Sequence, residues 1–193
     1  MSTPEESPSI DETLVRRLLA AQFPQWAELP LQTVASAGTD NAIYRLGDRL
    51  AVRLPKRESA APQAEKEQQW LPPLAAALPL AIPAPIGAGR PDAAYPWAWS
   101  VYPWMTGADA ATDPVSDLSQ AARDLGGFLA ALGRIDAAGG PLAGRANNGR
   151  GVPLAMLDKR VRNDVIALGD EVDGTAVLRA WDEALAAPVH DAP

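Results

Sequence analysis

Two short runs, Ala42-Ile-Tyr-Arg-Leu46 and Leu50-Ala-Val-Arg-Leu54, lie on either side of Gly47-Asp48. Runs of this length, carrying Ile, Tyr and Val and bounded by Gly, Asp and Pro, read as strands, and Gly47-Asp48 has the chemistry of a tight hairpin. Pro55 ends the second run. Upstream, Leu31-Gln-Thr-Val-Ala-Ser36 reads as another strand and Ala37-Gly-Thr-Asp-Asn41 as the turn leading into the hairpin. Downstream, Ile86-Gly-Ala-Gly-Arg90 and Trp97-Ala-Trp-Ser-Val-Tyr102 are two further strands, joined at Pro91-Asp92. The expectation is a five-stranded antiparallel sheet with one helix inserted after the third strand, in an α+β fold.

The helical readings rest on spacing and caps. Ser9 and Glu12 form an S-x-x-E capping box. Leu14, Leu18 and Ala21, with Val15 and Leu19 beside them, give the next helix one buried face, and Pro24 and Pro30 bracket its exit. Glu58 to Ala77 reads as the inserted helix, with Trp70, Leu71, Leu74 and Leu78 as its apolar stripe. Pro72-Pro73 removes two donors and crowds the preceding turn, so that helix is expected to end or kink near Leu71. After Tyr102 the chain turns helical. Ser116 is the expected cap of a helix bearing Leu118, Ala122, Leu125, Leu129 and Leu132. A Gly-rich loop over 137–152, with Asn147-Asn148 and Arg150, precedes helices over 153–168 and 175–185. The expected organisation is a frayed tail over 1–8, an N-terminal helix and strand-rich part over 9–102, a connection over 103–107 and a helical part over 108–193.

Composition excludes several function classes. Seventeen Lys and Arg against 24 Asp and Glu leave a net charge of −7, which argues against a nucleic-acid partner, since phosphate neutralisation needs a basic face. The chain has no cysteine, so disulfides, thiolate metal sites and a thiol nucleophile are out. The one histidine, His190, excludes a multi-histidine metal centre and reads as a terminal surface residue. No run of 18 apolar residues exists to span a membrane. The acidic start, Met1-Ser-Thr-Pro-Glu-Glu, lacks the apolar core of a signal peptide, so a cytoplasmic location is expected. Trp97 and Trp99 alternate on one strand, share a face and read as core packing.

The chemistry gathers on three features in order. A turn holds Gly38; a strand carries Leu50-Ala51-Val52-Arg53; and Glu67 follows in Glu65-Lys-Glu67-Gln-Gln-Trp-Leu. This order resembles the small lobe of a protein kinase, where a Gly-rich turn precedes a Val-Ala-Ile-Lys strand and a helix Glu pairs with that Lys. Only Gly38 of the three turn glycines is kept. In such a site, backbone N–H groups cover nucleotide phosphates, a strand cation holds them, and a helix carboxylate holds the cation.

The run from Gly38 to Asp48, Leu50-Ala-Val-Arg-Leu-Pro55, Glu65-Lys-Glu-Gln-Gln-Trp-Leu-Pro72 and Trp99-Ser-Val-Tyr-Pro-Trp104 with Gly107 together resemble the aminoglycoside phosphotransferase family. Gly151-Val-Pro-Leu and the helix with Trp181 also fit, so the likeness runs from about residue 10 to the end. The resemblance implies a kinase-like fold, with the strand-rich part as the small lobe, 103–107 as the hinge and 108–193 as a partial helical large lobe. It also implies transfer of the γ-phosphate of ATP or GTP to a hydroxyl of a small molecule, an aminoglycoside or similar.

Carried over to this sequence, the nucleotide-binding residues are Ser36, Gly38, Thr39 and Asn41 in the phosphate-covering turn and Ile43 beside it. Ala51 leaves room for the purine, Arg53 is the phosphate-holding cation, and Glu67 is its partner, with Glu65 as the other register. Pro103 and Met105 offer the purine edge a carbonyl and an N–H. Arg53 stands where many members have Lys; its planar fork can still grip phosphate. The family's catalytic His-Gly-Asp loop, with the later Asn and Asp that hold Mg²⁺, has no counterpart here, so neither catalytic residues nor metal ligands are assigned. His190-Asp191 is followed by only two residues. The expectation is therefore a phosphotransferase-like chain that stops before the catalytic loop. The alternative is a non-catalytic nucleotide-binding fragment or pseudo-enzyme.

Overall fold

The computed structural model describes residues 9–35, 38–108, 110–140, 144 and 150–188. Ser36, Asn147, Asn148, His190 and the tail over 1–8 lie outside the described residues. The chain divides into two compact units, residues 1–135 and 136–193.

In the first unit, α1 (Glu12–Gln22) leads to β1 (Leu31–Thr33), β2 (Asn41–Leu46) and β3 (Leu50–Pro55), then α2 (Ala61–Ala77), β4 (Gly87–Gly89), β5 (Trp99–Pro103) and α3 (Leu118–Leu132). The five strands form one sheet in the order β1-β2-β3-β5-β4, with every neighbouring pair antiparallel. This is the sheet expected from the sequence, with its helix inserted after the third strand. The β2–β3 hairpin closes through Gly47-Asp48-Arg49, because Leu46 pairs with Leu50. Gly47 sits at φ +57°, a conformation that penalises any side chain bearing a Cβ.

Side-chain alternation gives the sheet two different faces. Tyr44, Leu46, Val52, Leu54, Trp99 and Val101 point to one side and join Leu14, Val15, Leu18 and Leu19 of α1 in the main apolar core. Ile43, Ala51, Arg53, Ser100 and Tyr102 occupy the opposite face, since Ile43 pairs with Arg53, Ser100 with Arg53, and Tyr102 with Ala51. On that face α2 is tied down by Gln68, whose Nε2 donates to Trp99 O at 2.8 Å and to Ser100 Oγ at 3.0 Å. One face is thus spent on stability and the other is left to build a site.

Four local expectations need correction. The cap of α1 is Asp11, whose Oδ1 accepts from Leu14 N at 2.8 Å, and not Ser9. A carboxylate next to the first turn does the same job and adds a favourable charge at the positive helix end. Ala21 is exposed, so the buried stripe of α1 is Leu14, Val15, Leu18 and Leu19. Helix α2 does not stop at Leu71 but runs on through Pro72 and Pro73 to Ala77. Both prolines are exposed, and on a solvent-facing side a helix carbonyl that loses its donor can turn to water. The cap of α3 is Asp117 instead of Ser116, and its Leu118, Leu125, Leu129 and Leu132 are all exposed.

The second unit contains α4 (Asp158–Leu168) and α5 (Gly174–Ala186). Asp158 joins them: its Oδ1 accepts from Trp181 Nε1 at 2.9 Å and from Arg162 Nε at 2.8 Å. Arg162 also reaches Asp182 of α5 at 2.5 Å. Gly169, at φ +52°, ends α4, and Asp173 caps α5. No helix among the described residues is long and apolar enough to cross a membrane.

Candidate nucleotide cleft

The face of the sheet that carries Arg53 opens into a cavity of about 920 Å³ within the first unit. Nine of the ten residues singled out in the sequence line it: Gly38, Thr39, Asn41, Ile43, Ala51, Arg53, Glu67, Pro103 and Met105. The tenth, Ser36, is not among the described residues. The turn before β2 borders one end. Pro103 and Met105, where the chain leaves β5, border the other. Ala51 and Ile43 give the floor between them an apolar patch.

Arg53 and Glu67 meet at the centre. Arg53 Nη1 donates to Glu67 Oε2 at 2.6 Å, and the Glu67 side chain keeps only 13% of its exposure while Arg53 keeps 33%. Glu67 is thus the partner, and Glu65 is exposed. The pairing follows from local geometry: Arg53 points off the α2 face of the central strand, and Glu67 lies on the helix that packs there. The carboxylate is held twice more. Tyr102 Oη donates to the same Oε2 at 2.5 Å, and Gln63 Nε2 donates to Oε1 at 3.2 Å. Burial, reinforced by the hydrogen bond to Glu67, pushes the Tyr102 hydroxyl up to about 12. The phenol therefore stays protonated and acts as a donor throughout the physiological range.

The mouth has its own fastening. Asp40 lines the cavity and forms an ion pair with Arg57, just past β3, while Lys56 N donates to Asp40 O at 2.8 Å. At the opposite end Trp104 N donates to Arg49 O at 2.7 Å, and the Arg45 guanidinium lies 4.6 Å from the centre of the Trp104 ring. These contacts anchor both rims to the β2–β3 hairpin.

Asp40 of the expected turn and Trp104 of the expected hinge also line the cavity, as do three residues that the sequence does not single out, Leu71, Pro83 and Tyr102. Tyr102 reaches the cavity because it sits directly opposite Ala51 on the neighbouring strand. That pairing joins positions far apart in the chain, and local spacing does not reveal it.

The model of the phosphotransferase enzyme family matches residues 32–193. The chain belongs to this family. Solved phosphotransferases share its fold at low identity. The GDP complex of wild-type aminoglycoside 2'-phosphotransferase-IIIa matches with a TM-score of 0.66 and 19% identity, over 93% of this chain and 60% of that one. The GDP and kanamycin complex of APH(2")-IIia matches with a TM-score of 0.64 and 18% identity, over 92% and 60%. The macrolide 2'-phosphotransferase MphH from Brachybacterium faecium gives 0.53 and 24%, over 90% and 59%. The chain thus spans about 60% of the length of these phosphotransferases, and no curated protein matches it. The likenesses establish the kinase-like α+β fold of the phosphotransferase family.

Proposed function

We propose that the cleft holds a purine nucleoside triphosphate, ATP or GTP. The terminal phosphate would pass to a hydroxyl of a small-molecule acceptor such as an aminoglycoside. The observation that carries this reading is the Arg53–Glu67 pair, centred in a cavity with a turn at one end and an open strand end at the other. In phosphoryl transfer the protein supplies mostly positioning and charge stabilisation. Arg53 supplies the charge, and Glu67 fixes its direction. The turn from Gly38 to Asn41 would cover the phosphates, Ala51 and Ile43 would bound the purine face, and Pro103 and Met105 would meet its edge. The chain's net charge of −7 suits a polycationic acceptor.

Two further observations support the reading. The fold neighbours include GDP complexes of aminoglycoside phosphotransferases. The arginine fork also suits a polyphosphate, since among the described residues Glu67 accepts from Nη1 alone. Among the described residues no group of three or more His, Cys, Asp or Glu could hold a metal ion.

Calorimetric titration of MgATP and MgGTP into the wild type and Arg53→Ala tests the reading. Charge-assisted hydrogen bonds contribute about 1.5–3 kcal/mol, so the variant should bind about tenfold more weakly or worse. Equal affinities would remove Arg53 from the site, and no heat from either nucleotide with the wild type would overturn the nucleotide reading.

A further inference from the structure

The Tyr102 hydroxyl stands outside the Arg53–Glu67 ion pair, yet it donates directly to it. Its residue is 6% exposed. Its ring lines the cleft, between Ala51 on the paired strand and the strand end at Pro103. Its hydroxyl ends on the carboxylate oxygen that already accepts from Arg53.

We propose that Tyr102 is a positioning residue that sets the reach of Arg53 toward a nucleotide's phosphates, acting through Glu67. This deepens the nucleotide reading above and rests on it. Glu67 lies on α2, Arg53 on β3 and Tyr102 on β5, so one oxygen ties the helix to two central strands. Without the phenol, the carboxylate is held among the described residues only by the arginine it is meant to orient and by the longer Gln63 contact at 3.2 Å. When phosphates arrive they compete with Glu67 for the guanidinium. A carboxylate fastened from the far side by a neutral donor stays in place and keeps Arg53 aimed into the cleft. A second cation there could not do this, because it would itself draw the phosphates. The high pKa of the phenol agrees with that role, since a hydroxyl which ionised would repel Glu67.

The geometry also separates two parts of the ligand. The hydroxyl acts at the phosphate end, through Arg53, while the ring stays in place when the oxygen is removed. Tyr102→Phe should therefore weaken polyphosphates and spare the nucleoside. The experiment compares ADP and GDP with adenosine and guanosine, followed by tryptophan fluorescence, since Trp104 lines the cleft. Binding is measured for the wild type, Tyr102→Phe, Glu67→Ala and the double variant. The expected result is a loss of roughly three- to tenfold for the diphosphates in Tyr102→Phe, the worth of one net hydrogen bond. The nucleosides should be unchanged, which also shows that the variant is folded. In the Glu67→Ala background the second substitution should add less than twofold, because the hydroxyl acts through the carboxylate. Equal losses for diphosphates and nucleosides would mark a merely structural role and overturn the proposal, as would full additivity or no loss at all. If the wild type binds none of the four ligands, the nucleotide reading itself fails and this inference goes with it.

Discussion

Gly89→Ala should lower the melting temperature of the first unit by on the order of 10 °C, the result of about 3 kcal/mol of overpacking in a protein of this size. Glycine in a strand is ordinarily a weakness. Here the edge strand β4 reads Gly-Ala-Gly, and its two glycines face inward while Ala88 is exposed. A Cβ on Gly89 would overlap the indole of Trp99, directly opposite on β5. Trp99 cannot yield: it is fully buried and meets Phe23 edge-on at 5.3 Å between ring centres. Gly87 lies against the same aromatic group, within 3.0 Å of Trp26 and 3.2 Å of Phe23 for an added Cβ. The strand is thus shaped by the room a large indole needs. A variant melting within 2 °C of the wild type, on the same scale of about 2–4 °C per kcal/mol, would show that the aromatic cluster rearranges freely.

Glu67→Ala should cost both stability and affinity. It removes the acceptor of three donors at once: Arg53 Nη1, Tyr102 Oη and Gln63 Nε2. Gln63 is exposed and finds water. Arg53 is a third exposed and recovers part of its hydration. The Tyr102 hydroxyl, on a residue only 6% exposed, loses its carboxylate acceptor and is left with the Ser100 hydroxyl beside it, which already accepts from Gln68. An unsatisfied buried donor costs about 1–3 kcal/mol, and a partly exposed ion pair adds about 1 kcal/mol or less. The expected loss in urea denaturation is therefore about 2 kcal/mol. Glu67→Gln, which keeps an acceptor oxygen, should lose less stability while still weakening nucleotide binding. Equal stability of Glu67→Ala and the wild type would contradict the central place given to this carboxylate.

The sheet was legible because short apolar runs punctuated by Gly, Pro and Asp leave few ways to fold. Helix ends were less so. Ser9 and Asp11, or Ser116 and Asp117, are neighbouring cap candidates of nearly equal chemistry, and only the final hydrogen bond separates them. The two prolines of α2 misled for a different reason. Their penalty depends on whether the orphaned carbonyls can reach water, which is a property of the packed helix. In the cleft, Gly38, Arg53 and Glu67 are each ordinary residues taken singly; their order and spacing along the chain make them legible together. Tyr102 enters through the β3–β5 pairing, Trp104 through its backbone bond to Arg49 just past it, and Leu71 and Pro83 through α2 and the segment after it. None of those approaches is written in local spacing.

Hydrogen exchange of the backbone amides, with and without saturating MgATP or MgGTP, tests most directly whether a nucleotide occupies this cleft. The prediction is slowed exchange at Gly38 to Asn41 and at Met105, the two ends of the cavity around Arg53, with little change over residues 158–186. Unchanged exchange at both ends, or protection confined to residues 136–188, would contradict it.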